Sequence, residues 1–310
     1  MITPLQKLAA LAIVNIFETG SVLGDYGSVT VIKGDSGHLT FGRSQTTLST
    51  GNLHKLIANY CENPGARLNR KLTPFLPRLK DRDVSLDHDS YFHNVLRASA
   101  DDSLMRETQD QFFDETYWEV ALKAASELNI TTALGIAVVY DSVVHGSWKL
   151  IRDKVTAQEG SAKALGERLW IKAYVETRED WLASHGNKVL HATVYRTQAL
   201  SRLMALGHWG LDLPLVVRGL EISNATLNGL PPRCYDGPQP GSRTLALQSP
   251  LAKGLDVRLM QLGLSAKGID IKADGVFGQT SVLRLQEYQK AEHIPASGVG
   301  DVALIMQLVS

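Results

Sequence analysis

A mostly helical α+β fold is what this sequence predicts, with one small β-hairpin near its start and a short helical module at its end. Three observations carry the prediction. An apolar run from Leu5 to Phe17 repeats at intervals of three and four and stops at Glu18-Thr19-Gly20. A β-branched stretch, Gly27 to Ile32, is followed by turn residues and then by Leu39-Thr40-Phe41. Between Leu48 and Gly229 apolar residues return at helical spacing, until a Pro- and Gly-rich stretch breaks the pattern.

The first element is a helix with one apolar face, built from Leu5, Leu8, Ala9, Leu11, Ala12, Ile13, Ile16 and Phe17. Glu18 arrives where that face ends, and Thr19-Gly20-Ser21 terminates the helix. A carboxyl beside a buried face is partly desolvated, which raises its pKa and suits it to donate a proton near neutral pH. A solvated Glu at a helix end is the plainer alternative. Only Lys7 stands ahead of the core of this run, Asn15 and Glu18 interrupt its end, and no small-x-small site follows, so the segment is expected to be mature structure and not a cleavable signal.

The hairpin comes next, its tip near Gly34 to Gly37. It carries Asp35, seventeen positions after Glu18. A turn of this kind favours Asp for purely structural reasons. Paired with Glu18, however, it supplies what glycosidic cleavage needs: one acid to protonate the departing oxygen, and one carboxylate to activate water or to attack.

Helices are expected over 52–60, 104–128, 131–145, 162–183 and 193–206. Aromatic residues in them, among them Phe112, Phe113, Tyr117, Trp118, Trp148, Trp170 and Trp181, are expected in the core. The nine His residues form no metal signature: His88 and His93 lie off a common helical face, and no Cys pair or His-Glu-x-x-His accompanies them. No metal and no cofactor are expected.

Residues 229–244, rich in Pro and Gly, read as a linker or a structured crossing between domains. Beyond it, 245–310 form a unit barely large enough for a core of its own. There Asp274-Gly275 makes a tight turn, Phe277 plugs the core, and Thr280 stands where a helix start wants a capping oxygen. This Asp274-Gly275-Val276-Phe277-Gly278-Gln279-Thr280 segment, with Tyr288-Gln289 after it, resembles the three-helix peptidoglycan-binding domain that accompanies many cell-wall hydrolases.

The earlier blocks resemble family 46 chitosanases, of the lysozyme-like superfamily. The resemblance makes Glu18 and Asp35 the catalytic pair, with Thr40 five positions beyond Asp35 and Tyr26 between the two acids. It extends to Tyr140-Asp141-Ser142-Val143-Val144-His145-Gly146, and to the Arg-bearing stretches around Arg178 and Arg196, and covers scattered blocks within residues 5–225. It implies supporting or substrate-binding roles for Tyr26, His38, Arg43, Gln45, Asp141, His145, Arg178 and Arg196, with Asp141 and Arg196 forming a buried ion pair behind Glu18. Thr19 and Gly37-His38 depart from the usual family residues. The implied architecture is a mostly α, lysozyme-like two-lobed catalytic domain over 1–228 with a β-hairpin at its cleft, followed by the linker and the three-helix domain.

Lys plus Arg equals Asp plus Glu at 32 each, so no bulk charge draws the chain to nucleic acid. No run approaches a membrane span, and a soluble protein is expected. Cys61 and Cys234 leave the redox compartment open. The expected activity is an inverting peptidoglycan hydrolase acting at the bacterial wall, bacteriolytic and antimicrobial. The alternatives are a chitosanase and a non-catalytic wall-binding protein. The lack of a signal segment fits a phage lysin, an injected effector met by an immunity or inhibitor protein, or a trimmed chain, and the sequence does not choose among them.

Overall fold

The structure is a computed structural model and describes residues 2–43 and 46–310. Two compact units make it up, each assembled from two separated stretches of chain: Met1–Gly24 with Phe113–Gly229, and Asp25–Phe112 with Leu230–Ser310. The consecutive division expected from the Pro- and Gly-rich stretch follows chain order. Compactness follows packing instead, and the C-terminal helices pack onto residues 25–112.

In the first unit the helix Pro4–Thr19 begins at a reciprocal cap. Gln6 N–H donates to Thr3 Oγ1 at 3.2 Å, and Thr3 N–H donates to Gln6 Oε1 at 2.8 Å. Pro4 occupies the first turn, and Gly20 (φ 68°) ends the helix in the left-handed region. Ala9 to Val14, Ile16 and Phe17 are buried, largely against the Ala133–His145 helix. That second helix is apolar on nearly all sides, with Ala133 to Ser142 buried, which makes it the central element of this core. Around it stand Trp148–Glu159, Glu167–Ala183 and Tyr195–Ala205.

The expected helix over 162–183 is divided at Gly166 (φ 82°) into Ala162–Leu165 and Glu167–Ala183. The expected helix over 104–128 is interrupted by a π-helical turn, Asp114–Trp118. Trp118, Trp148 and Trp170 are buried, as expected, and Trp170 stacks on Tyr174 with ring centroids 5.5 Å apart.

The second unit opens on a three-stranded antiparallel sheet: Val29–Thr30, Thr40–Phe41 and Thr46–Thr47. Val29 pairs with Phe41 and Thr30 with Thr40, so the expected hairpin forms, and a third short strand extends it. Leu39 and Phe41 enter a core with Leu53, Ile57, Tyr60, Phe92 and Val95. Leu262 and Ala273, from the C-terminal stretch, belong to the same cluster.

Three helices, Leu255–Ala266, Gln279–Ala291 and Val302–Val309, form that stretch around Phe277, Leu285 and Ile305. Gly275 (φ 76°) makes the expected turn, and its N–H donates to Gln261 Oε1 at 2.8 Å. The expected cap at Thr280 is not made. The helix starts at Gln279 with Gly278 as its cap, which places Thr280 a residue inside the first turn. Asp301 does cap its helix, accepting from Leu304 N–H at 2.8 Å.

Buried polar contacts join this three-helix stretch to the rest of the unit. The wholly buried Asn94 donates to Ile271 O at 2.7 Å and to Ser265 Oγ at 3.0 Å, and accepts from Ala273 N–H at 2.9 Å. Arg258 Nε lies 3.2 Å from Asp101 Oδ2, both side chains buried. Residues 229–244 include Tyr235, whose N–H donates to Asp101 Oδ1 at 2.8 Å, and the buried Cys234. Both cysteines are free thiols. Among the described residues no helix is long and apolar enough to cross a membrane, and no group of His, Cys, Asp and Glu is disposed to hold a metal.

Candidate active site

Glu18 stands at the C-terminal end of the first helix, its side chain 37% exposed. Its carboxylate meets the guanidinium of Arg196, which is buried. Arg196 Nε in turn lies 3.0 Å from Asp141 Oδ1, and Arg178 Nη1 lies 2.6 Å from Asp141 Oδ2. Asp141 and Arg178 are wholly buried, so this relay of alternating charges is shielded from solvent except at Glu18. The structure thus brings together four residues that the sequence singled out, and the buried Asp141–Arg196 pair forms as expected.

Helical geometry explains the arrangement. Asp141 projects from the central helix, and Arg178 and Arg196 from two helices of the same unit. One carboxylate between two guanidiniums leaves a positive charge over, and Glu18 balances it.

The electrostatics follow from burial and neighbours. Partial burial raises the Glu18 pKa above the ordinary carboxylate value, and the nearby Asp141 charge raises it further, against the pull of Arg196. Asp141 is driven up by its own burial, yet Arg178 and Arg196 together hold it below the usual range. His145, at the end of the central helix, is pushed down to about 4 by burial and by the two guanidiniums. It stays neutral at pH 7.

Beside Glu18 a cavity of about 460 Å³ is lined by Ile16, Phe17, Gly20, Tyr195, Arg218 and Leu220. Tyr195 donates its hydroxyl to Phe17 O at 2.8 Å and lies edge-on to the Phe17 ring. Arg218, in the turn between strands Leu215–Val217 and Leu220–Ile222, covers Tyr195 with its guanidinium 3.7 Å from the ring centroid. An aromatic face beside a carboxyl suits a sugar ring. Tyr195 lies in the Arg196-bearing stretch without a role expected there, and Arg218 carries no sequence motif, so only folding places them at this cavity.

In the other unit Asp35 is exposed on the hairpin turn. Its Oδ1 accepts from Gly37 N–H at 3.2 Å, and its N–H donates to Ile32 O at 3.0 Å, so it shapes the turn as Asp does in general. His38 is held in the left-handed region (φ 58°) with Nδ1 2.8 Å from Asp87, which also accepts from Leu39 N–H at 2.8 Å. Thr40 donates its hydroxyl to His38 O at 3.2 Å.

Tyr26 donates its hydroxyl to Asp110 at 2.6 Å, and Arg43 pairs with the same carboxylate. Burial pushes the Tyr26 phenol well above its ordinary value. Gln109 donates to Tyr26 O at 3.0 Å and accepts from Arg43 N–H at 3.0 Å, which ties the loop after the second strand to the Ser103–Phe113 helix. Gly42 (φ 78°) admits this contact, since a Cβ there would meet Gln109 Oε1 at 2.2 Å. Asp87, Gln109 and Asp110 were not legible in sequence, because no period or motif connects them to Tyr26 or His38. Gln45 lies outside the described residues.

Residues 12–215 match glycosyl hydrolase family 46, and residues 253–308 match a family described as a putative peptidoglycan binding domain. A chitosanase of Bacillus subtilis (strain 168) is 28% identical over 236 residues, covering 71% of this chain and 84% of its own length. Among solved structures, a family 46 chitosanase of Gynuella sunshinyii in complex with chitotetraose is similar at a TM-score of 0.59 and 25% identity, over 73% of this chain and 99% of that one. A mutant chitosanase from Bacillus subtilis MY002 complexed with 6 GlcN is similar at 0.58 and 26%, over 70% and 96%.

Proposed function

The chain belongs to glycosyl hydrolase family 46, and we propose that it hydrolyses β-1,4 bonds in a glucosamine polymer, with Glu18 as general acid and Asp35 as the base that activates water. It is a glycoside hydrolase of lysozyme-like fold. The sequence-based expectation put peptidoglycan first. The match to solved chitosanases over nearly their whole length, two of them holding chitotetraose or GlcN, favours the glucosamine polymer.

The Glu18 setting is the single observation that carries the acid role. Burial raises its pKa above that of an exposed carboxyl, which makes it the better proton donor. As the proton passes to the leaving oxygen, a carboxylate forms against Arg196, which Asp141 and Arg178 hold in place. Burial thus keeps the proton available to the leaving oxygen, and Arg196 faces the carboxylate that remains. Asp35 is supported by its exposure on a turn fixed by the sheet, and Thr40 and Tyr26 by the motif that surrounds it.

A second reading, cleavage of peptidoglycan, rests on the match of residues 253–308 to the wall-binding domain. Under either reading the enzyme works on an extracellular or wall-borne polymer. Release of reducing ends from chitosan, run beside turbidity loss of purified wall sacculi, tests the choice. Chitosan cleavage with intact sacculi is expected. Clearing of sacculi with chitosan untouched overturns the glucosamine assignment.

A further inference from the structure

A cationic pocket of about 220 Å³ lies in the second unit, where the three-helix stretch meets the sheet. Its walls come from Gly27 and Ser28, from Val29 and Thr30 of the first strand, and from Arg97, Arg233, Arg258, Lys272 and Asp274. The cations are not equally committed. Arg258 faces Asp101 and donates to the carbonyls of Arg97 and Arg233, each at 2.6 Å. Arg233 pairs with Asp25.

Arg97 differs. Its hydrogen bond goes to the neutral amide oxygen of Asn94 at 3.0 Å, and no carboxylate among the described residues lies within ion-pair distance of it. Lys272 stands exposed beside it. Four cations thus surround the pocket against the three carboxylates of Asp25, Asp101 and Asp274. One positive charge remains, which suits a carboxylate better than a phosphate dianion. Burial and the like charge of Arg258 both press on the Arg97 cation, and Asp274 offsets them only in part, so an anion brought to it relieves a standing cost.

The backbone adds a second feature. Val29–Thr30 is an edge strand, paired among the described residues only with Thr40–Phe41. Ser28 O accepts from Gly42 N–H at 2.9 Å and Thr30 sits opposite Thr40, so the intervening Val29 turns its N–H and C=O away from the sheet. An exposed strand edge beside a cation is the arrangement by which an extended peptide adds as a strand and has its terminus captured.

We propose that this pocket binds the free carboxylate end of an extended peptide of the kind carried by wall stem peptides, Arg97 and Lys272 pairing with the carboxylate and Val29 with the peptide backbone. The site combines residues of both family matches: Val29 and Arg97 lie in one, Arg258, Lys272 and Asp274 in the other. The proposal rests on the reading that the C-terminal stretch engages peptidoglycan. It also gives that stretch a site completed by the catalytic sequence, beyond a tether.

Titration of the full chain with acetyl-Lys-D-Ala-D-Ala, with the same peptide amidated at its C-terminus, and with inorganic phosphate tests it by calorimetry. The free acid should bind at least about tenfold more tightly than the amide, and Lys272→Gln and Arg97→Gln should each weaken it by roughly tenfold. Lys272 is exposed, so its variant reports on the pocket even if loss of Arg97 disturbs folding. Equal affinity for acid and amide, no binding of either peptide, or tighter binding of phosphate overturns the proposal. Co-sedimentation of the wild-type chain with sacculi separates the two readings. Sedimentation without peptide binding removes the pocket and keeps wall binding, whereas peptide binding without sedimentation does the reverse.

Discussion

The Arg178 guanidinium lies 2.6 Å from the Asp141 carboxylate, with both side chains wholly removed from solvent. A buried pair of this kind is weak evidence for stability, since desolvation cancels much of the attraction. Its value here lies in what it fixes. Asp141, held by Arg178, orients Arg196, and Arg196 meets the exposed end of Glu18.

Glu18→Gln keeps the shape of the side chain but has no proton to give. Turnover on the cleaved polymer should fall by roughly a hundred to ten thousand-fold, with thermal stability close to wild type. Reducing-end release together with a melting curve checks both halves. Near-normal turnover removes Glu18 from the mechanism.

Asp35 as water-activating base predicts inversion at the anomeric carbon. NMR of the first product formed should show the α-anomer from a β-linked polymer. A product of retained configuration excludes this role.

Asp141→Ala leaves Arg178 and Arg196 in a buried site without their shared carboxylate. A loss of about 3–5 kcal/mol in unfolding free energy is expected, measured by urea denaturation. Activity should fall too, because Arg196 loses the anchor that aims it at Glu18. A variant as stable as wild type would show that the relay is not what holds these helices.

His145 gives the stability a pH dependence of definite sign. Its folded pKa, about 4, lies below the unfolded value of 6.5. Between those limits the unfolded chain binds the proton more readily, so this residue's contribution to stability falls as pH drops from about 6.5 to about 4 and is constant beyond either end. Asp101 acts oppositely, since burial raises it to about 6 from 3.8, and its contribution declines as pH rises across nearly the same range. The His145 effect is therefore read as the difference between wild type and His145→Gln in urea midpoints at pH 4 and 7. An equal difference at the two pH values contradicts it.

Removal of residues after Pro240 is expected to damage residues 25–112, not merely to untether the enzyme. It exposes the core around Leu262 and Ala273, removes three partners of the buried Asn94, and strips Arg258 from Asp101. An unpaired buried carboxylate alone costs about 3–5 kcal/mol. Amide exchange in the Ser90–Ser99 helix should accelerate in the truncated chain. Unchanged protection there would mean that the three-helix stretch folds as an independent appendage.

By itself the sequence determined the local elements. The repeat in Leu5 to Phe17 specified the first helix, β-branched residues around Gly34 to Gly37 specified the hairpin, and the Asp274-Gly275 turn identified the last module, because each depends on neighbours within a few positions. The Glu18–Arg196–Asp141–Arg178 relay was legible only through family resemblance, for its members lie on four separate helices. Tertiary structure alone decided the rest. Asp110 beneath Tyr26, Asp87 beneath His38, and Asn94 against Ile271 and Ala273 join residues 49 to 179 positions apart. Such pairs leave no period in the chain, because burial selects them through shape and unsatisfied hydrogen bonds that exist only once the helices have packed.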